Sequence, residues 1–143
     1  MEQKIEPLVG EEALHVEKQR TWVKEHYVPE AQHKYETIEG KLSILESILT
    51  QRWVERHETW KLQSLGITFG DILLQKLNLM WVTVEDEYGR DPALLVPGTT
   101  ILVFPLTAIS KRIERGESVD VRELLDGFCA SVEERKVIEK PPN

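Results

Sequence analysis

Residues 79–84, 93–96 and 99–104 form three apolar, β-branched runs, and nothing between them is long enough to be a helix. Parallel strands need a crossover of roughly a dozen residues or more. These runs therefore predict an antiparallel meander and argue against a doubly wound parallel sheet. The connections fit. Residues 85–91 form a polar turn in which Gly89 is free to take positive φ. Pro97-Gly98 suits a type II turn, because proline presets φ at the first central position and glycine accepts positive φ at the second.

Helical periodicity brackets the meander. Ala13, Val16, Val23 and Tyr27 recur at helical steps, with Arg20 as the polar member of the stripe and Trp22 widening it. Val28-Pro29 ends that helix, since proline disfavours helix in the residue before it. A second helix is expected over 30–50. Its stripe of Tyr35, Ile38, Leu42, Leu45 and Leu49 is broadened by Ile44 and Ile48, wide enough to meet several neighbours or another copy of the chain. Its end falls somewhere between residues 49 and 60. Helical period returns from Thr59 to Leu77. Gly66 and Gly70 lie either on one face of that helix, where a second backbone comes close, or at a break beside Gly66. Asn78 is a natural stop. Beyond the meander, Leu106, Ile109 and Ile113 mark a short helix ended by Gly116. Asp120 and Glu123, at capping-box spacing, open a last one carrying Val121, Leu125, Phe128 and Val132.

The order of helices, meander and helices is α+β. The expected chain is a single domain over 1–143: a helical N-terminal arm (1–58), an α+β body (59–136) and a frayed tail (137–143). Composition limits its partners. Eighteen Lys and Arg against 25 Asp and Glu give a net charge of −7, which disfavours nucleic acid and anionic membrane. The one cysteine, Cys129, cannot form an internal disulfide, so a reducing, cytoplasmic setting is expected. The acidic start lacks the apolar stretch of a signal peptide, and no run approaches a membrane span.

Motifs for chemistry are sparse. Glu12-x-x-His15 and Glu30-x-x-His33 have the spacing used by di-iron bundles, but both lie off the apolar stripes, whereas ligands must point inward. They read as solvated helix faces. Cys129, beside Phe128, reads as a small core residue. No nucleophile elbow and no phosphate-cradling glycine loop occurs. No catalytic residue, cofactor or metal is expected. The most individual segment is the turn, where Glu85, Asp86, Glu87 and Asp91 surround Tyr88 and Arg90, two side-chain types favoured in interfaces. Lys111, Arg112 and Arg115 form a cationic patch that suits a helix C-terminus. The candidate binding surface is Asp86, Tyr88, Arg90, Asp91, Lys111 and Arg112.

The segments 65–71, 79–92 (with its W-V-x-V-E-D-E-Y-G-R-D-P run), Pro97-Gly98 and 103–112 resemble an uncharacterised bacterial family of domains of unknown function, over about residues 60–128. The resemblance implies a small α+β domain and no particular activity. The reading that follows is a non-enzymatic cytoplasmic interaction module, self-associating through its N-terminal helices. Its rival is a small-molecule- or metal-binding protein, or an enzyme, with a site between the 85–91 turn and Lys111/Arg112.

Overall fold

The computed structural model describes residues 2–139. In chain order it contains β1 (Lys4–Pro7), α1 (Gly10–Lys24), a 3-10 helix (Pro29–Glu36), α2 (Ile38–Thr50), α3 (Thr59–Leu77), β2 (Met80–Asp86), β3 (Gly89–Leu95), β4 (Leu102–Val103), α4 (Ser110–Glu114) and α5 (Val121–Glu139). The architecture is α+β, as the pattern of elements required.

The meander exists, and it has one strand more than expected. β1 joins its edge, giving an antiparallel sheet of order β1-β2-β3-β4. Lys4-Ile-Glu-Pro7 has no strand signature of its own. Its backbone pairs with a strand some 80 positions away, Lys4 opposite Glu85 and Pro7 opposite Val82, and local propensity does not encode such a contact. The polar turn is also shorter than expected. Glu85 and Asp86 end β2, Gly89 to Asp91 begin β3, and the turn itself is Glu87-Tyr88. The Asp86 carboxylate closes it by accepting from the Tyr88 amide at 2.8 Å.

The expected 30–50 helix divides at Thr37. The Thr37 hydroxyl accepts from the Gly40 amide at 2.9 Å and caps α2, and the residues before it tighten into the 3-10 helix opened by Pro29. After Thr50 the chain leaves helix until Thr59. α3 is unbroken, so Gly66 and Gly70 share a face of one helix, and Asn78 ends it in the left-handed conformation. Asp120 caps α5 through the amides of Arg122 and Glu123. Where fraying was expected from residue 137, α5 continues to Glu139, whose carboxylate accepts from the amide and hydroxyl of Thr100. The remainder of the expected tail, 140–143, lies outside the described residues.

α3 is the axis of the helical layer. Every residue from Ser64 to Leu73 is buried, the signature of a helix surrounded on all sides. α1, α2, α4 and α5 all contact it. The wide apolar face of α2 is spent here: Leu42, Ile44, Leu45 and Ile48 are buried in the common core. The glycines of α3 admit neighbours. A Cβ on Gly66 would collide with the carbonyl oxygen of Leu106, and one on Gly70 would meet the Trp81 ring at 2.5 Å and Pro105 at 2.9 Å. Trp81 of β2 seats on α3 at Gly70, and the Pro105-Leu106 segment that follows β4 seats at Gly66.

Candidate functional site

The sequence-predicted surface does not assemble as one unit. Arg90 turns toward the N-terminus. Its guanidinium grips Glu12 of α1 at 2.8 Å, reaches Glu6 of β1 at 3.0 Å and lies 3.9 Å from Glu85. The hydrogen bond to Arg90 holds the Glu12 carboxyl below its usual range and raises the guanidinium further. Arg90 thus clamps the β2–β3 hairpin to β1 and the start of α1. Tyr88, at the hairpin tip, is 89% exposed. Asp91 and Arg90 line a cleft with Glu12, His15 and Gln63.

Lys111 and Arg112 lie in α4. Arg112 bonds the carbonyl of Ala108 at 2.9 Å and lines a different cleft, against α5; Lys111 is exposed. No hydrogen bond or ion pair among the described residues joins either of them to the hairpin. The elements explain the separation: α4 packs on α3, while the hairpin projects from the end of the sheet.

The Glu-x-x-His pairs do not converge. Glu12 is committed to Arg90, and Glu30 and His33 are exposed. Among the described residues no group of three His, Cys, Asp or Glu side chains is arranged to hold a metal. Cys129 is half-buried, and burial raises its thiol, disfavouring the reactive thiolate.

The densest polar constellation is one that sequence spacing did not single out. Asp71, on α3 and 8% exposed, receives four hydrogen bonds. Arg20 of α1 donates two, from Nε at 2.6 Å and Nη2 at 2.8 Å; Tyr35 donates its hydroxyl at 2.7 Å, and Trp81 its indole N–H at 3.0 Å. Tyr35 also bonds the Thr68 hydroxyl at 3.0 Å. Burial and the neighbouring Asp71 charge push the Tyr35 phenol well above its usual value, and the bond to Asp71 raises Arg20. Lys41, lowered by burial, lies over the Tyr35 ring and bonds Gln75 at 2.7 Å. A bidentate Arg–carboxylate pair with every carboxylate direction occupied is a joint. It ties α1, the 3-10 helix, α3 and β2 together and leaves Asp71 no free lone pair for substrate. Its sequence signals were Arg20 within an apolar stripe and Asp71 within the apolar face of α3.

A second missed feature is the far side of the sheet. Strand register puts Trp81, Thr83 and Leu94 on one face, with Val103 opposite Leu94; Trp81, Leu94 and Val103 join the helical core. The opposite face carries Ile5, Pro7, Met80, Val82, Val84, Ala93, Leu95 and Leu102. Val82, Val84, Ala93 and Leu102 form a second buried cluster with Leu95 beside them, and among the described residues no apolar helix side chain joins it. Ile5 (39% exposed), Met80 (45%) and Phe104 (45%) surround it. Register also places Asp91 beside Val84, and Asp86 follows on the same face, so the hairpin end of this surface is acidic. The signal was present in the sequence. Runs such as Met80-Trp-Val-Thr-Val84 and Ile101-Leu-Val-Phe104 are apolar at both parities, as in strands covered on both faces.

The profile of the domain of unknown function DUF3806 matches residues 41–124. The chain belongs to this family. The match takes in α2 through the first turn of α5, so it begins earlier than the resemblance over 60–128 and leaves out β1, α1 and the 3-10 helix. No curated protein matches the chain. One solved structure, a protein from Bacteroides thetaiotaomicron VPI-5482 determined at 1.50 Å resolution, superposes with a TM-score of 0.71 at 14% identity, over 90% of this chain. At that identity the likeness is one of fold. The chain spans 48% of that protein's length. Neither comparison indicates a function. Among the described residues, no helix is long and apolar enough to cross a membrane.

Proposed function

We propose that this DUF3806 member is a non-enzymatic, cytoplasmic protein-interaction module whose partner docks on the outer face of the sheet. One observation carries the reading. The strands are apolar on both faces, while the apolar side chains of the described helices join only one of them in a common core. The centre of that face, Val82, Val84, Ala93 and Leu102, is already buried, but its rim of Ile5, Met80 and Phe104 stays exposed, and a partner that covers this apolar rim gains free energy by taking it from water.

The charge pattern selects the occupant. The apolar surface runs into Asp86 and Asp91 at its hairpin end, with Glu87 in the turn beside them. A partner segment with apolar residues and a basic end complements it, and the acids steer its approach. A second copy of the chain fits less well. The net charge of −7 makes copies repel, and the α2 face that motivated self-association is occupied inside the chain by Ile44 and Ile48.

The test uses a synthetic amphipathic peptide of leucine and lysine as probe, followed by fluorescence anisotropy at low and high salt. Binding is expected, weakened at least about tenfold by Met80→Lys with Phe104→Lys. It should also weaken with salt and with Asp86→Asn plus Asp91→Asn, since asparagine keeps the turn's acceptor. Leu14→Lys, at an exposed apolar site on α1, is the neutral control. Equal loss in that control rejects the outer face. Self-association in light scattering that Met80→Lys abolishes replaces the basic partner with a second copy.

A further inference from the structure

Helical glycines show a consistent use in this fold. A glycine inside a helix is less stable than alanine there, so a structural gain must offset it. At Gly40 a Cβ would strike the carbonyl of Lys34; at Gly66 it would strike the carbonyl of Leu106; at Gly70 it would meet the Trp81 ring. Each bare backbone admits a neighbour. Gly127 lies within α5, and a Cβ built on it meets nothing within 4 Å. Gly127 is exposed, and its bare backbone faces open space, not a packed neighbour.

Gly127 also lines a cleft of about 480 Å³ between α4 and α5, within the size range of small-ligand sites. Leu124 and Phe128, both half-buried, give it an apolar wall. Arg112 and Glu123 line it as well, and neither has an ion-pair partner among the described residues; Arg112 spends one nitrogen on Ala108. Asp120, by contrast, is occupied in capping α5. The cleft therefore combines an apolar wall, one available guanidinium, one available carboxylate and a stretch of helix left bare for close approach.

We infer that this cleft binds a zwitterion with an apolar body, a free amino acid or a short peptide. Its carboxylate meets Arg112, its ammonium meets Glu123, and its side chain lies on Leu124 and Phe128 across Gly127. The site is separate from the sheet surface proposed above.

The test is an NMR titration of the full chain with leucine, phenylalanine, Leu-Leu and N-acetyl-leucine amide at millimolar concentration, alongside thermal melts. Shifts in α4–α5 resonances are expected with the zwitterions and not with the capped compound. Response to the free amino acids or to Leu-Leu alone distinguishes the two sources, and either supports the assignment. Arg112→Gln and Glu123→Gln should each weaken binding about tenfold. Gly127→Ala should raise the melting temperature by about 3 °C while abolishing binding, a pairing that a merely structural glycine would not produce. Silence with all zwitterions, equal binding of the capped compound, or a lower melting temperature for Gly127→Ala overturns the inference.

Discussion

The two faces of the sheet obey different rules. On the inner face Trp81 packs over Gly70 and passes its N–H to Asp71, which also receives Arg20 and Tyr35. Among the described residues, all but one of the buried polar side chains there are paired, and the backbone of α3 comes close enough to require glycine. On the outer face Val82, Val84, Ala93 and Leu102 form a small buried cluster that no apolar helix side chain joins among the described residues, and Met80 and Phe104 beside it reach solvent. The contrast separates two kinds of buried design. A paired polar joint specifies one internal arrangement, since its groups are costly to leave unsatisfied. An apolar sheet face specifies only that something must cover it.

The contrast can be broken at its strongest point first. Asp71→Asn removes the buried, bidentate countercharge of Arg20 and leaves it only the more exposed Glu17 at 2.6 Å, and urea unfolding should show a loss of about 3 kcal/mol. A loss near that of a surface substitution would mean that the joint is dispensable. Gly66→Ala forces a methyl group into the Leu106 carbonyl and should cost about 2 kcal/mol in the same assay. Gly127→Ala, where space is open, should move stability the other way.

The joint also has a pH signature. The folded Tyr35 phenol is raised, by burial first and the Asp71 charge second, so the unfolded chain gives up this proton first, near pH 10. That contribution is complete below pH 10 and is lost as the pH climbs beyond it. Lys41 acts in the opposite sense. Its folded value is lowered by burial, so stability gains as the pH rises from that lowered value toward 10.5. Alkaline urea titrations of Tyr35→Phe and Lys41→Met should separate the two: the first variant should lose less stability above pH 10 than the parent, the second more. An unchanged alkaline limb in Tyr35→Phe would remove Tyr35 from the account.

Thr83 is the inner face's exception, with a hydroxyl buried and unpaired among the described residues. Thr83→Val keeps the shape and removes the unsatisfied group, so a gain of about 1 kcal/mol is expected in thermal or urea unfolding. Smallest of all is the effect of Met80→Lys on the outer face. Stability should change by no more than about 0.5 kcal/mol, while partner binding falls. A large destabilisation there would show that the outer face is already structural within the chain.

Several elements were legible because their causes are local. The stop at Asn78, the turn at Pro97-Gly98 and the Asp120 cap each rest on the chemistry of a few consecutive residues. Thr37 was just as local, yet the strong period of Tyr35, Ile38 and Leu42 ran across it and masked the cap. The binding surface was the least legible part. Arg90 was expected to face a partner, but Glu6 and Glu12 occupy it, and both lie in the N-terminal segment whose strand was missed. Lys111 and Arg112 fall elsewhere because α4 follows α3 and not the hairpin.

The sequence alone determined the fold class, the antiparallel sense of the meander and some helix ends, such as the stop at Asn78 and the start at Asp120, because periodicity and turn chemistry act over a few residues. Only the tertiary structure decided that Lys4–Pro7 is a strand, that Arg20 meets Asp71 across 51 positions, and which face of the sheet the helices cover. Such contacts are chosen by the free energy of burying and pairing groups distant in the chain. An apolar strand specifies that both its faces need cover, and only the tertiary structure shows that α3 covers the face that carries Trp81.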